Sequence, residues 1–169
     1  MQHQIDRLDK RILKLISVDA RIPFLEVARE CNVSGAAIHQ RIQKLRELGV
    51  IKGSEFVIDT YKIGYQTCAY VGIVLTNNQL FHDVVDALKK IPEIVECNYA
   101  IGKFSMIIKM HAKDNRHLLQ LILEKVTPIP GVAHTETFQI SLDEIFRRQL
   151  SVFDVKNENW SEEEYPENL

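Results

Sequence analysis

From Ile5 to Gly49 the apolar positions recur every three or four residues. Ile5, Leu8, Ile12, Leu15 and Ile16 mark a first helix over about residues 6–18. Asp19-Ala20-Arg21-Ile22-Pro23 breaks it. Leu25 and Ala28 lie one turn apart on a short second helix and are expected to face a core, and small Ala28 lets another helix cross close above it. Cys31-Asn32-Val33 is a tight turn, and Ser34 is a strong N-cap whose hydroxyl can accept an orphan N–H of the next turn. Ile38, Ile42, Leu45 and Leu48 give the third helix one buried face. Gly49 is placed to end it in a left-handed conformation. A short helix, a tight turn and a longer capped helix form a helix-turn-helix layout, which places one helix in a DNA major groove. Val50-Ile51-Lys52-Gly53 and Glu55-Phe56-Val57-Ile58 then turn extended, as either a small wing or a linker strand. Turn-like Asp59-Thr60-Tyr61-Lys62-Ile63-Gly64 puts a domain boundary near residue 60.

Beyond it strand and helix alternate. Residues 67–76 form a strand apolar on both faces, with Ala69, Val71, Ile73 and Leu75 on one and Cys68, Tyr70, Gly72 and Val74 on the other. Phe81, Val84, Val85 and Leu88 make a helical stripe. Residues 94–100 and 104–111 are the second and third strands. Leu118, Leu119, Ile122, Leu123 and Val126 make a second helical stripe, and residues 132–142 are the fourth strand. Ile91-Pro92-Glu93-Ile94 and Ile129-Pro130-Gly131-Val132 each close a helix and open a strand, a weak internal repeat. The order βαββαβ predicts an α+β, ferredoxin-like domain: an antiparallel four-stranded sheet with both helices on one face. The uncovered face of the first strand then needs a cover. A second copy packed sheet on sheet supplies one, and paired recognition helices suit paired DNA half-sites. The alternative cover is the C-terminal segment.

Charge sharpens the reading of the first half. The outer face of the third helix carries Ala36, His39, Gln40 and Gln43, flanked by Arg41 and Lys44. The candidate DNA contacts are therefore Ser34, Ala36, Ala37, His39, Gln40, Arg41, Gln43 and Lys44. Small residues let the helix enter the groove, Gln and His reach base edges, and Arg41 and Lys44 neutralise phosphates. A solvated helical hairpin has the same pattern. However, residues 1–53 hold ten Lys and Arg against six Asp and Glu, while residues 151–169 hold one against six. The basic excess thus lies on the helix-turn-helix segment, hidden beneath an overall charge of −2.

Composition excludes other classes. No apolar run is long enough for a membrane span, and the N-terminal residues lack the apolar core of a signal peptide, so a cytoplasmic protein is expected. Cys31, Cys68 and Cys97 are far apart and contain no CxxC, which suggests reduced, mostly buried thiols. No metal-ligand spacing, Ser/His/Asp order or phosphate-binding loop appears, so neither an enzyme, a metal site nor a cofactor is expected. The tail, residues 151–169, is acidic and poor in apolar residues. It serves solubility or competes with DNA for Arg41 and Lys44.

The chain resembles the Lrp/AsnC family of feast/famine transcription regulators over residues 5 to about 148. The resemblance rests on Leu8-Asp9, Ile12-Leu13, Asp19-Ala20-Arg21, Glu26-Val27-Ala28, Val33-Ser34, Arg41-Ile42, Leu45, Gly49-Val50-Ile51-Lys52-Gly53, Gly64, Gly102, Pro130-Gly131-Val132 and Thr135-Glu136-Thr137. It implies a DNA-binding domain over residues 1–60, an effector-binding and oligomerisation domain over 61–150, and an acidic tail beyond. It also implies homodimers that assemble further, often to octamers, with a small amino acid bound between subunits of neighbouring dimers. The family's glycine loop usually carries two acidic residues, where this chain reads Gly102-Lys103-Phe104-Ser105. The serine resembles the asparagine-responsive AsnC branch, as do Ile38-His39 and the run Tyr70 to Leu75. The implied effector residues are Gly102, Lys103, Phe104, Ser105, Thr135, Glu136 and Thr137. Thr135 and Thr137 line a pocket or only suit a strand, and Lys103 either meets an effector carboxylate or is solvated. The expected function is sequence-specific transcriptional regulation of double-stranded DNA, tuned by an amino acid, asparagine foremost. The alternative is an amino-acid-sensing oligomer without specific DNA binding.

Overall fold

The computed structural model describes residues 5–141 and 145–146. These residues divide into two compact units, one reaching Phe56 and the other spanning Val57–Phe146. The predicted acidic tail lies outside the described residues.

The first unit holds α1 (Arg7–Val18), α2 (Phe24–Cys31) and α3 (Gly35–Glu47). Asp6 and Asp9 start α1 with a reciprocal cap. The Asp9 N–H donates to Asp6 Oδ1 at 2.8 Å and the Asp6 N–H to Asp9 Oδ2 at 3.2 Å. Asn32 ends α2 in the left-handed region, at φ 54°, and the Val33 N–H reaches back to the Ala28 carbonyl at 3.0 Å. Gly49 ends α3 in the same way at φ 69°, with the Val50 N–H bonded to the Leu45 carbonyl. Ile12, Val27, Ala28, Ile38 and Ile42 form the buried core. Leu25 was expected inside but is 61% exposed, because Val27 takes the inward position beside Ala28. Leu48 is only half-buried at the helix end. Residues 51–59 form no strand, so neither a wing nor a paired linker strand exists among the described residues. The Arg21 guanidinium lies 4.2 Å from the centre of the exposed Phe56 ring.

The second unit runs β1 (Thr67–Leu75), α4 (Phe81–Leu88), β2 (Ile94–Tyr99), β3 (Met106–Ala112), α5 (Asn115–Leu121), continued by a wider π turn over Ile122–Val126, and β4 (Val132–Ile140). The sheet order is β2-β3-β1-β4 with every pairing antiparallel. β1 is an inner strand, flanked by β3 and β4. Its inward residues Ala69, Val71 and Ile73 pack with Met106, Ile108 and Met110 of β3 against Val84, Leu88, Leu118, Leu121 and Val126 of the helices. The two Ile-Pro steps bury Ile91 and Ile129 in this core. The buried stripe of α5 centres on Leu118, Leu121 and Ile122, so Leu119 and Leu123 are exposed on its outer flank, unlike the expected pattern.

The opposite sheet face carries Cys68, Tyr70 and Gly72 of β1 beside His111, Lys109 and Ile107 of β3. Cys68 is buried, Cys31 half-buried and Cys97 exposed, so the thiols are less uniformly buried than expected. The His111 ring lies 4.0 Å from Cys68 Sγ and edge-on to Tyr65, and its Nδ1 is buried with no hydrogen-bond partner. Burial, then the Lys109 ammonium, holds its pKa below the ordinary imidazole value of 6.5. The unfolded chain therefore takes up this proton first, and stability is fully present above pH 6.5 and lost as pH falls through the lowered folded value. A pH series of urea unfolding should show that decline, and His111→Phe should flatten it. An unchanged slope in the variant would exclude His111 as the cause.

Candidate nucleic-acid interface and effector loop

The third helix presents its outer face as the sequence predicts. Ser34 caps it, its hydroxyl accepting the Ala37 N–H at 3.2 Å. Ala36, His39, Gln40, Gln43 and Lys44 are exposed, and Ala37 is half-buried at the first turn. The His39 ring stands edge-on to Phe24 with centroids 4.7 Å apart, so the start of α2 orients it. The Gln43 amide donates to Glu47 at 3.0 Å. Gln40 and Lys44 make no such bond among the described residues, leaving both side chains available to a ligand.

Arg41 sits differently. Its guanidinium pairs with Asp6 and, at 3.2 Å, with Asp9. Asp9 is only 1% exposed. Hydrogen bonds to Asp6 and then Asp9 raise the Arg41 pKa. The Asp6 carboxyl is held below its ordinary value, first by the Asp9 backbone N–H and then by Arg41. Of the eight candidate contacts, Arg41 alone has its charge matched among the described residues.

The effector residues fall on two sides of the sheet. Gly72 lies beneath the Phe104 ring, so closely that a Cβ there would come within 2.6 Å of it. Glu136 pairs in register with Gly72 and forms an ion pair with Lys103. Lys103 Nζ lies 5.3 Å from the Phe104 ring centre, and Phe138 meets that ring edge-on at 6.3 Å. Lys103, Phe104 and Glu136 thus gather on the uncovered face. Thr137 and Thr135 pair with Val71 and Ile73, which point to the helices, so they face the other way. The Ser105 hydroxyl accepts the Leu75 N–H at 3.3 Å, and the Ser105 N–H donates to the Ile73 carbonyl at 2.8 Å. Ser105 therefore fastens the strand ends, with its own hydroxyl proton left to donate. Gly102, at φ 128°, opens the loop in a conformation that favours glycine.

Two clefts measure about 320 and 410 Å³, the first between the segment after α4 and the α5 helix, the second beside α4 and β2. The first runs from Lys90 to Lys125 past His117, and the second is an apolar groove between Phe81, Val85 and Tyr99. Neither is lined by the seven effector residues. Among the described residues no group of three or more His, Cys, Asp or Glu is arranged to hold a metal ion. None of their helices is long and apolar enough to cross a membrane.

Sequence reasoning missed Asp6, Asp9, Phe24, Gly72 and Phe138. Only Asp6-x-x-Asp9 carried a local signal, as a capping box with aspartate in place of glutamate.

The AsnC-type helix-turn-helix domain family matches residues 5–46, and the Lrp/AsnC ligand binding domain family matches residues 68–150. The regulatory protein AsnC of Haemophilus influenzae is 36% identical over 135 residues, covering 80% of this chain and 90% of that protein. The solved structure of Escherichia coli AsnC superposes with a TM-score of 0.80 at 27% identity, over 88% of this chain and 99% of that one. A feast or famine regulatory protein from M. tuberculosis, complexed with L-methionine, shares the fold at a TM-score of 0.80 and 23% identity, over 88% of this chain and 99% of its own. With both domains matched in order and a relative aligned over most of its length, this chain belongs to the Lrp/AsnC family and is an AsnC-type transcriptional regulator with a helix-turn-helix and a ligand-binding domain.

Proposed function

We propose that this chain regulates transcription by sequence-specific binding of double-stranded DNA as a homodimer, tuned by a small polar amino acid, asparagine foremost. The observation that carries the reading is the capped α3, whose outer face sets exposed Gln40, Gln43, His39 and Lys44 behind small Ala36 and Ala37. Residues 1–60 bind DNA in this reading, and residues 61–150 bind effector and assemble.

The uncovered sheet face supports a two-fold dimer. Phe138 and Ile140 are exposed there beside half-buried Tyr70, Val74 and Ile107. Higher assemblies, up to the octamers of the family, build from that dimer. The effector loop supports a zwitterionic ligand, since the Lys103 cation and the Glu136 carboxylate lie side by side next to Gly102. Opening that pair offers an ammonium to an effector carboxylate and a carboxylate to its ammonium.

Gel retardation against genomic fragments tests the first half. The wild type should select a few fragments, and Gln40→Ala should flatten that preference. Calorimetry with asparagine, glutamine, leucine, methionine and lysine tests the second, with the largest heat expected for asparagine. Uniform binding to all fragments would leave only the amino-acid sensor, and no heat with any ligand would remove the effector.

A further inference from the structure

Arg41 lies on the outer helix α3, yet its guanidinium is tied to α1. One nitrogen, Nη1, bridges Asp6 and Asp9. Asp9 is almost wholly buried, and among the described residues its side chain accepts, apart from Arg41, only the Asp6 N–H. Asp6 in turn accepts the Asp9 N–H. A single guanidinium therefore closes both halves of the α1 cap from a position more than thirty residues along the chain. The cluster adjoins the apolar core through its sequence neighbours Ile12, Ile38 and Ile42.

Apolar packing and charged hydrogen bonds constrain α3 in different ways. Burial of Ile38 and Ile42 holds α3 against its neighbours but is non-directional, so small sliding or rotation costs little. A guanidinium bridging two carboxylates has fixed donor directions and resists such motion. Reading base edges needs side chains held within about 0.5 Å of productive geometry. A guanidinium already matched by two carboxylates also has little charge left for a phosphate.

We propose that Arg41 is a positioning residue for DNA recognition: its bridge to Asp6 and Asp9 sets the register of α3 against α1, and so the aim of His39, Gln40 and Gln43, while making no phosphate contact. This rests on the DNA-binding reading above.

The test is salt-dependent binding by the full chain to a selected genomic fragment and to random DNA. Arg41→Ala should lower affinity for the selected fragment by about tenfold or more, and leave random-DNA affinity and the slope of log affinity against log salt unchanged. Asp9→Asn, which touches no DNA, should lower the same preference, and adding it to Arg41→Ala should cost nothing further. Arg41→Ala strands a buried carboxylate and threatens the fold, so Asp9→Leu/Arg41→Met, which replaces the charges with apolar contact, serves as the second variant. It should keep the wild-type salt slope and lose discrimination. A slope smaller by about one unit on both DNAs would make Arg41 a phosphate contact and overturn the proposal. So would Asp9→Asn tightening binding, which would mean the carboxylates restrain a DNA contact. Unchanged discrimination in the double variant would overturn this proposal alone, whereas a wild type that binds no fragment would remove the DNA-binding reading beneath it.

Discussion

Tyr70→Asp is expected to leave the chain monomeric at concentrations where the wild type is dimeric. Tyr70 lies mid-way along the central strand β1, on the uncovered face, between Lys109 of β3 and Phe138 of β4. The Lys109 ammonium lies 5.8 Å from its ring centre and also pairs with Glu96 at 3.5 Å. In a single subunit an aspartate at position 70 sits in water beside that lysine, so the fold should survive. Between two sheets the same carboxylate loses its water at a site built for an aromatic ring. An uncompensated buried charge costs about 3 kcal/mol or more, over a hundredfold in dimer dissociation. Sedimentation across a concentration series reads this directly, with circular dichroism as the control for folding. A variant that sediments like the wild type would move the dimer contact away from this face.

The second large effect is expected at Gly72. A methyl there would stand 2.6–2.7 Å from three atoms of the Phe104 ring, including the carbon nearest its backbone, so the ring must leave the sheet. Phe104 holds down the loop that carries Gly102 and Lys103, so the displacement should reach the effector residues. Gly72→Ala is expected to lower stability by about 1–3 kcal/mol and to weaken amino-acid binding with it. Shrinking the ring should relieve the conflict: Gly72→Ala/Phe104→Leu should lose less than the two single losses added together. Simple additivity would show that the close approach is not the cause.

Much of this architecture was legible from spacing alone. The period of α1 and α3, the Ser34 cap, the Gly49 stop and the βαββαβ order all express local rules, and each is present. What escaped the sequence depends on distant partners. Leu25 and Val27 are both apolar, and only the crossing of α3 selects Val27 as the inward one. Thr135 and Thr137 do share one side of β4, as alternation requires. Which side depends on the register against β1, where a slip of one residue would reverse it. That Arg41 pairs with Asp6 and Asp9 of the first helix was likewise invisible, because the partners lie more than thirty positions away. The Ser105 hydroxyl looks free until the Leu75 N–H is found against it.

The pairing of β1 with β4 also governs the order in which the molecule can be made. The three helices α1 to α3 all lie before residue 48, so they can form early and fast. β1 cannot. Its two neighbours in the sheet are β3 and β4, and β4 is the last strand among the described residues. At a translation rate of about 5–20 residues per second, roughly 3–13 s separate Leu75 from Ile140. Throughout that interval the most apolar strand of the chain has an open edge on the ribosome. A chaperone that shields extended apolar segments would find its best substrate here, and slow-codon tracts between residues 76 and 131 would lengthen the exposure.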